Sequence, residues 1–509
     1  MSESTEFIRT ASKNERRYIM RHALGFYNAL TLTGLYTIPH TDSLNANNLD
    51  KFIPALKHCI AVHPFLSTAI KGENTENPSF VRPASINLRN HLHLVDMLSN
   101  STSSSLTDKD DRDLHLITQV TKKIHDEPFV NVDQQPPWKV LIVPLSDEAA
   151  SGQRVYIIFA CSHSHGDGKS GLEFHKTFLE GLKYAHELYD QGYLYQTSTS
   201  ALPLLPPLEE AANLSITWRY LFLNLFGRHM PSIACRLLGL QPPANIIHGF
   251  NAWTGRAMTF DPSKFHTGSE ALLVKKDLLS GILRVCREHG VKFTGFFNHL
   301  VAHILHSILL QHRDTGRNTC TRTLLGQIVV DLRALIPAYI KSENQMVNSV
   351  SALIATISLK NDTEFWNDAR RTTVKLAECA STLADQPIGL LRFFHSFRGW
   401  FLGKLGKGRD SSYEISNAVI FDPRLQPSDP VGTGKVNWDI ERVLFSQPAN
   451  VTGSPLNFQI VTRKGGDMVI TLNWQRGILD VSDETFFVRE ILENVHGLMT
   501  ELCCDSSLT

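Results

Sequence analysis

Residues Arg154 to Glu187 change secondary-structure period across a glycine-rich hinge, and any fold of this chain has to accommodate that change. Arg154–Cys161 (Arg-Val-Tyr-Ile-Ile-Phe-Ala-Cys) is a run of β-branched and aromatic residues of the kind that forms a buried strand. It leads into Ser162–Gly171, where three glycines in ten residues argue against regular structure. From Leu172 onward the apolar residues return at the spacing of one helix face (Leu172, His175, Phe178, Leu179, Leu182, Ala185), predicting an amphipathic helix over 171–189. A strand, a tight loop and a helix in that order present side chains at the carboxyl end of a strand, where open α/β sheets place their ligands.

The flanking sequence extends the α/β pattern. Trp138–Pro144 reads as a strand that pairs with Arg154–Cys161 across the polar turn Ser146–Gln153. A strand near Ala29–Ile38 and a helix over Asn48–His63, ended by Pro64, precede them, and residues 1–17 read as a frayed tail. Asn100–Asp113 is serine-rich and then charged, the composition of a solvated loop, with a helix from Leu114 to Asp126. Gln196–Pro207 is a Ser/Thr/Pro connector.

A second α/β pattern follows. Short strands are expected at Met258–Phe260 and Ala271–Val274, and helices over Asp277–His289 (capped by Gly290) and Thr294–Gln311. Strands are expected over Thr323–Arg333, Val347–Leu359 and Asp439–Gln447, and Pro455–Trp474 reads as a hairpin turning at Lys464-Gly465-Gly466. Two aromatic and basic stretches, Trp218–Leu240 and Leu390–Leu405, suit helices that cover a groove between domains or touch a membrane surface.

Composition narrows the function classes. The 509 residues are too many for one ordinary core, and 42% apolar with 20% charged is a globular balance. Lys plus Arg equals Asp plus Glu at 50 each, which gives no support for a nucleic-acid partner. Eight scattered cysteines without a Cys-x-x-Cys pair, and a polar N-terminus without an apolar signal segment, favour a reducing cytoplasmic location. No run of eighteen apolar residues is present, so no transmembrane segment is expected.

Three chemistries compete for Ser162–Gly171. Gly168-Lys169-Ser170 is half of a phosphate-binding loop, with Val329-Val330-Asp331 as a strand to match. That pattern wants glycine five positions before Gly168, where His163 stands. His163-x-His165-x-Asp167 alternates metal-ligand types, as in dinuclear metallohydrolases, but those carry a further histidine directly after the aspartate, where Gly168 stands. The third reading is His-x-x-x-Asp-Gly: His163 as a general base, Asp167 holding the loop through an ion pair, and Gly168 supplying the turn. An imidazole titrates near neutrality and can accept a hydroxyl proton. Cys161, two residues before His163, raises the further question of a cysteine nucleophile.

His163–Gly168 after a buried strand resembles the signature of CoA-dependent acyltransferases related to chloramphenicol acetyltransferase, the plant BAHD enzymes and peptide-synthetase condensation domains. Arg21–Asn28 (Arg-His-Ala-Leu-Gly-Phe-Tyr-Asn), Trp253-Thr-Gly255, Ser412–Asn417, Phe445-Ser-Gln447 and Gly465–Gln475 are similar, in family order, to fungal alcohol acetyltransferases. Ser162 stands where many relatives have the first of two histidines. The plant Asp-Phe-Gly-Trp-Gly motif is missing, with Trp438-Asp-Ile440 as a distant echo.

The resemblance implies two chloramphenicol-acetyltransferase-like α/β domains with a channel between them: residues 1–195 carrying the His-x-x-x-Asp-Gly loop, a crossover over 196–255, and a second half over 256–509. It further implies direct transfer of an acetyl or other short acyl group from acyl-CoA, a co-substrate with no permanently bound cofactor, to a small secondary-metabolite alcohol by a monomer. On the same basis Ser416 and Asn417 are candidates for the oxyanion or substrate, and Arg333 or Arg21 for the ion-pair partner of Asp167. Acylation of an amine, and cyclisation or condensation without CoA, remain open alternatives.

Overall fold

The structure is a computed structural model; it describes residues 5–38, 46–95, 108–149, 152–185, 188–197, 202–226, 252–311, 323–340, 346–358, 364–424 and 438–505. Two sheets organise it. The first has five strands in the order Asp439–Ser446, Leu30–Ile38, Gly152–Cys161, Trp138–Ala149 and Leu92–Leu94. All its pairs are antiparallel except the last. The second has six, in the order Thr267–Val274, Met468–Gln475, Leu456–Arg463, Tyr413–Phe421, Thr323–Asp331 and Val350–Ser358. Its central pairs are parallel and its outer pairs antiparallel.

The strand expected at Arg154–Cys161 is fully buried over Val155–Cys161 because strands flank both its edges and side chains cover both its faces. Its continuous apolar run is the mark of that position. The helix after it buries Leu172, Phe174, Phe178 and Leu179 against the first sheet, together with Leu32, Phe52 and Phe159. A second core, built on Phe296, Leu300, Phe458, Leu472 and Ile491, lies under the other sheet. The expected hairpin forms, with Gly465 at φ 72° supplying the left-handed turn residue.

The sheets do not follow the chain order of the two halves. Asp439–Ser446, from deep in the C-terminal part, hydrogen-bonds to Leu30–Ile38 and extends the first sheet. Its other contacts reach the second sheet: Thr471 Oγ1 donates to the Phe445 carbonyl at 2.7 Å and Asn473 Nδ2 to Ser446 Oγ at 2.9 Å. One strand therefore covers the open edge of Leu30–Ile38 and ties the two halves together.

Other expectations need correction. The supposed tail forms a strand, Glu6–Thr10, paired with Ser79–Arg82, and a helix, Lys13–Ala23. Ser12 and Glu15 form a reciprocal capping box at its start, a pattern readable in Ser12-x-x-Glu15. The helix expected from Leu114 begins at Lys109, because Asp108 caps it and Asp110 and Asp111 favour its first turn. Met258–Phe260 is not a strand. Leu390–Leu405 is not one helix but a 3-10 segment, Pro387–Phe393, and a short helix, Phe397–Leu402, begun anew by Ser396. Phe293–Gln311 is long and apolar enough to cross a membrane, at a mean hydropathy of 1.3, but 61% of it is buried in the second core. Of Trp218–Leu240, the helix Trp218–Phe226 is described; residues 227–240 lie outside the described residues.

Candidate active site

The motif helix starts at Gly168, three residues earlier than its apolar pattern, because Asp167 caps it. Asp167 Oδ1 accepts from the Ser170 amide at 3.2 Å, and Ser170 Oγ accepts from the Asp167 amide at 3.1 Å. The loop proper is thus Ser162–Gly166. Gly168 is required by packing, since a Cβ there would come within 2.8 Å of the Phe445 ring.

Asp167 is almost fully buried and Arg333 is its partner. Arg333 Nη2 lies 2.7 Å from Asp167 Oδ1 and 2.7 Å from the Val347 carbonyl, and Nη1 lies 3.0 Å from Asp331 Oδ1. Burial pulls the guanidinium pKa down, but Asp167 and Asp331 outweigh it and push it up. Lys169 Nζ closes the chain of charges on Asp331 at 2.7 Å, so the lysine of the phosphate-loop reading is already engaged. Arg21, the other candidate partner, makes no ion pair with Asp167; its guanidinium stacks over Tyr27 instead.

This fixed loop orients His163. Its Nδ1 lies 2.9 Å from the Gly166 carbonyl and 3.0 Å from Asn348 Nδ2, which also donates to the His163 carbonyl at 2.9 Å. The Gly166 carbonyl can only accept and the Asn348 amide nitrogen can only donate, so the two favour opposite tautomers; with that amide satisfied by the His163 carbonyl, an Nδ1 that donates to Gly166 leaves the lone pair on Nε2. Tyr18 stacks on the imidazole at 4.0 Å between ring centroids. Burial, and then Arg21, lower the His163 pKa to about 3, with Asp167 opposing them, so the ring is neutral at physiological pH.

His165 points elsewhere. Its Nε2 reaches the Thr68 carbonyl and hydroxyl at 3.0 and 3.1 Å, and its Nδ1 meets Ser164 Oγ at 3.0 Å. His163, His165 and Asp167 therefore do not converge on a metal position, and no other group of three possible metal ligands comes together among the described residues.

His163 opens onto a cavity of about 600 Å³ whose walls come from both sheets. This is the size of a small-molecule site. Tyr18 and Tyr27 flank the imidazole, Glu414 and Ser416 face it from the second sheet, and Leu223 and Trp400 close it from the two aromatic stretches.

The chain as a whole is similar to known proteins. Residues 13–234, which include Arg21, His163 and Asp167, match the family model of the alcohol acetyltransferases. Residues 13–234 carry an alcohol acetyltransferase domain. Probable alcohol acetyltransferase FCK4 of Fusarium pseudograminearum is 23% identical over 506 residues, covering 96% of this chain and 94% of that protein. Probable alcohol acetyltransferase crmB of Aspergillus fumigatus is 23% identical over 478 residues, covering 90% and 93%. Among solved structures, the TRI3 trichothecene 15-O-acetyltransferase from Fusarium sporotrichioides superposes with a TM-score of 0.63 at 14% identity, covering 98% of this chain and 95% of that one. The first condensation domain of the calcium-dependent antibiotic synthetase superposes at 0.56 and 13% identity, covering 99% and 98%. The fold is the chloramphenicol-acetyltransferase-like α/β fold, and the protein is an acyltransferase.

Within the acyltransferase, the two candidates on Tyr413–Phe421 separate. Ser416 lines the cavity, whereas Asn417, on the opposite face of the strand, donates from Nδ2 to Thr294 Oγ1 at 3.1 Å. Asn417 is therefore not placed to meet an oxyanion. Tyr18, Tyr27 and Asn348 are site residues that sequence reasoning missed. Tyr27 lies inside the family-like segment Arg21–Asn28, but nothing in the sequence ties Tyr18 or Asn348 to His163.

Cys161 is fully buried in the first core, and burial, with Asp167 adding to it, raises its thiol pKa far above neutrality. A thiol so protonated is a poor nucleophile. Cys161→Ala is expected to retain most of the turnover, and intact-mass analysis after incubation with acetyl-CoA alone to show no acetyl adduct. A stable adduct that disappears in the Cys161 variant would replace direct transfer with an acyl-cysteine route.

Proposed function

We propose that the acyltransferase transfers an acetyl or other short acyl group from CoA directly to the hydroxyl of a small, largely apolar alcohol, with His163 as general base. The observation that carries this reading is the orientation of His163: Nδ1 is held by the Gly166 carbonyl, and Nε2, without a hydrogen-bond partner among the described residues, belongs to a ring that lines the cavity. The acceptor oxygen bonds to the thioester carbon while its proton passes to Nε2. The C–S bond then breaks, and the proton goes on to the CoA thiolate, leaving ester and free CoA. Ser416 is the side chain on the facing sheet that could donate to the oxyanion. FCK4 and crmB, described as probable alcohol acetyltransferases, and the trichothecene acetyltransferase support hydroxyl over amine acceptors and acetyl as the group transferred.

The direct test is release of CoA thiol from acetyl-CoA in the presence of a panel of alcohols and amines, with products weighed by mass spectrometry. Esters with stoichiometric CoA release are expected. Amide products would move the acceptor class, and products formed without CoA release would replace acylation by cyclisation or condensation.

The lowered His163 pKa adds a signature. The base must be neutral to act, and with a folded-state pKa of about 3 it stays neutral well below the usual 6.5. Initial kcat/KM is therefore expected to show no half-loss near pH 6.5. Stability runs the other way: below about 6.5 the unfolded chain binds a proton that the folded chain refuses, so the folded state weakens as pH falls towards 3. Rates are best read immediately after a pH jump, with circular dichroism confirming the fold; an acidic limb centred at 6.5 that His163→Ala removes would overturn the lowered pKa, and one that survives in the residual activity of His163→Ala would place the base elsewhere.

A further inference from the structure

Arg21 is a buried cation whose hydrogen-bonding capacity the protein does not use. It sits in the last turn of Lys13–Ala23, lines the cavity with His163, and is 9% exposed. Its guanidinium carbon lies 4.4 Å from the Tyr27 ring centroid and 5.7 Å from that of Tyr18, contacts that hold its plane. Nε and Nη2 are buried and have no hydrogen-bond partner. Those two nitrogens form one edge of the guanidinium, the edge that matches the two oxygens of a carboxylate.

The acids around the cavity are otherwise committed. Asp167 is held by Arg333, Asp410 pairs with Lys404 at 2.8 Å, and Asp385 accepts from the amide and hydroxyl of Thr217. Glu414 accepts from Gln327 Nε2 at 2.6 Å, and its burial raises its pKa towards the neutral acid although Arg21 opposes the shift. Arg17, also on the cavity wall, adds positive charge instead of offsetting it. Much of the remaining wall is apolar, with Leu223, Ile388, Leu391, Phe394, Trp400 and Phe401.

We propose that the acceptor is an apolar hydroxy acid whose carboxylate pairs with the Arg21 guanidinium while its hydroxyl reaches His163. The proposal rests on the acylation reading for the role of the hydroxyl, but carboxylate recognition is separable from it. The phosphates of CoA are a poor alternative occupant, because the pantetheine arm holds them away from a thioester placed at His163. An oxyanion role for Arg21 would act on every acceptor alike.

The test is calorimetric binding, without acyl donor, of a panel of hydroxy-aryl and hydroxy-fatty acids beside their methyl esters. The proteins are the full chain, Arg21→Met and Arg21→Lys, with Arg21→Gln read in place of the methionine variant if that fails to fold. At least one acid is expected to bind about 100-fold more tightly than its ester. That preference should vanish in Arg21→Met and return in part in Arg21→Lys, which keeps the charge but not the fork. The proposal is overturned if no acid in the panel outbinds its ester, if the preference survives Arg21→Met, or if Arg21→Met weakens CoA binding and not acid binding. An acid that binds through Arg21 but is never acylated from acyl-CoA would instead remove the acylation reading and leave carboxylate recognition standing.

Discussion

His163→Ala is expected to lower kcat by about 10²–10⁴-fold, the usual contribution of a positioned general base, with the thermal midpoint close to that of the parent. The expectation of a preserved fold comes from the contacts. The imidazole stacks on Tyr18 and lines a cavity, while the loop is held by backbone and side-chain bonds that do not need it: Asn348 to the His163 carbonyl, and Asp167 to Ser170 and Arg333. His163→Gln should do no better than alanine, since an amide cannot take up the proton. A variant keeping more than half of the parental turnover would place the base elsewhere. His165 is no ready substitute, because both of its nitrogens are tied to Thr68 and Ser164.

Asp167→Ala is expected to cost stability as well as activity. It removes the cap of the motif helix, typically about 0.5–2 kcal/mol, and leaves the Arg333 guanidinium without one of its two carboxylates. Breaking a buried pair on one side typically costs about 3–5 kcal/mol. Arg333 is 20% exposed at its side chain and keeps Asp331, which places the combined loss at the lower end of that range. Asp167→Asn, which retains an oxygen for the Ser170 amide, should lose less than alanine. Arg333→Ala should reproduce both defects, and the double variant should fall short of the sum of the single ones, since both remove the same contact. Thermal unfolding read beside kcat decides it: an Asp167→Ala protein that melts like its parent would show that the ion pair does not hold the loop.

The outcome at Asp167 separates what sequence and structure each contribute. The strand before the loop was legible because Arg154–Cys161 is apolar without interruption, and the helix after it because its apolar residues keep one period. The start of that helix was not, since three glycines weaken the local signal and only Asp167, acting as cap, places the first turn at Gly168. Ser12-x-x-Glu15 is the opposite case, a capping signal present in the sequence at the start of a helix where composition suggested a tail.

The residue types proposed for acyl transfer, an imidazole at His163 and a carboxylate at Asp167, are written in the chain itself, as are their four-residue spacing and the family-like segments around them. Their partners are not. Arg333 lies 166 residues from Asp167 and outside every family-like segment, whereas Arg21 carries the same charge inside one; only the packing of the second sheet against the motif helix brings Arg333 to 2.7 Å. The same holds for Asp439–Ser446, whose strand pattern was clear but whose sheet was not. Strand periodicity reports which faces are buried and is silent on which edge the backbone joins. Asn417 and Ser416 differ for a related reason: adjacent residues on a strand point to opposite faces, and the sheet's placement, not the segment's composition, puts Ser416 in the cavity and Asn417 against Thr294. Local chemistry is a property of neighbouring residues and survives in sequence, whereas the choice among distant charges and sheet edges is made by close packing between elements far apart in the chain.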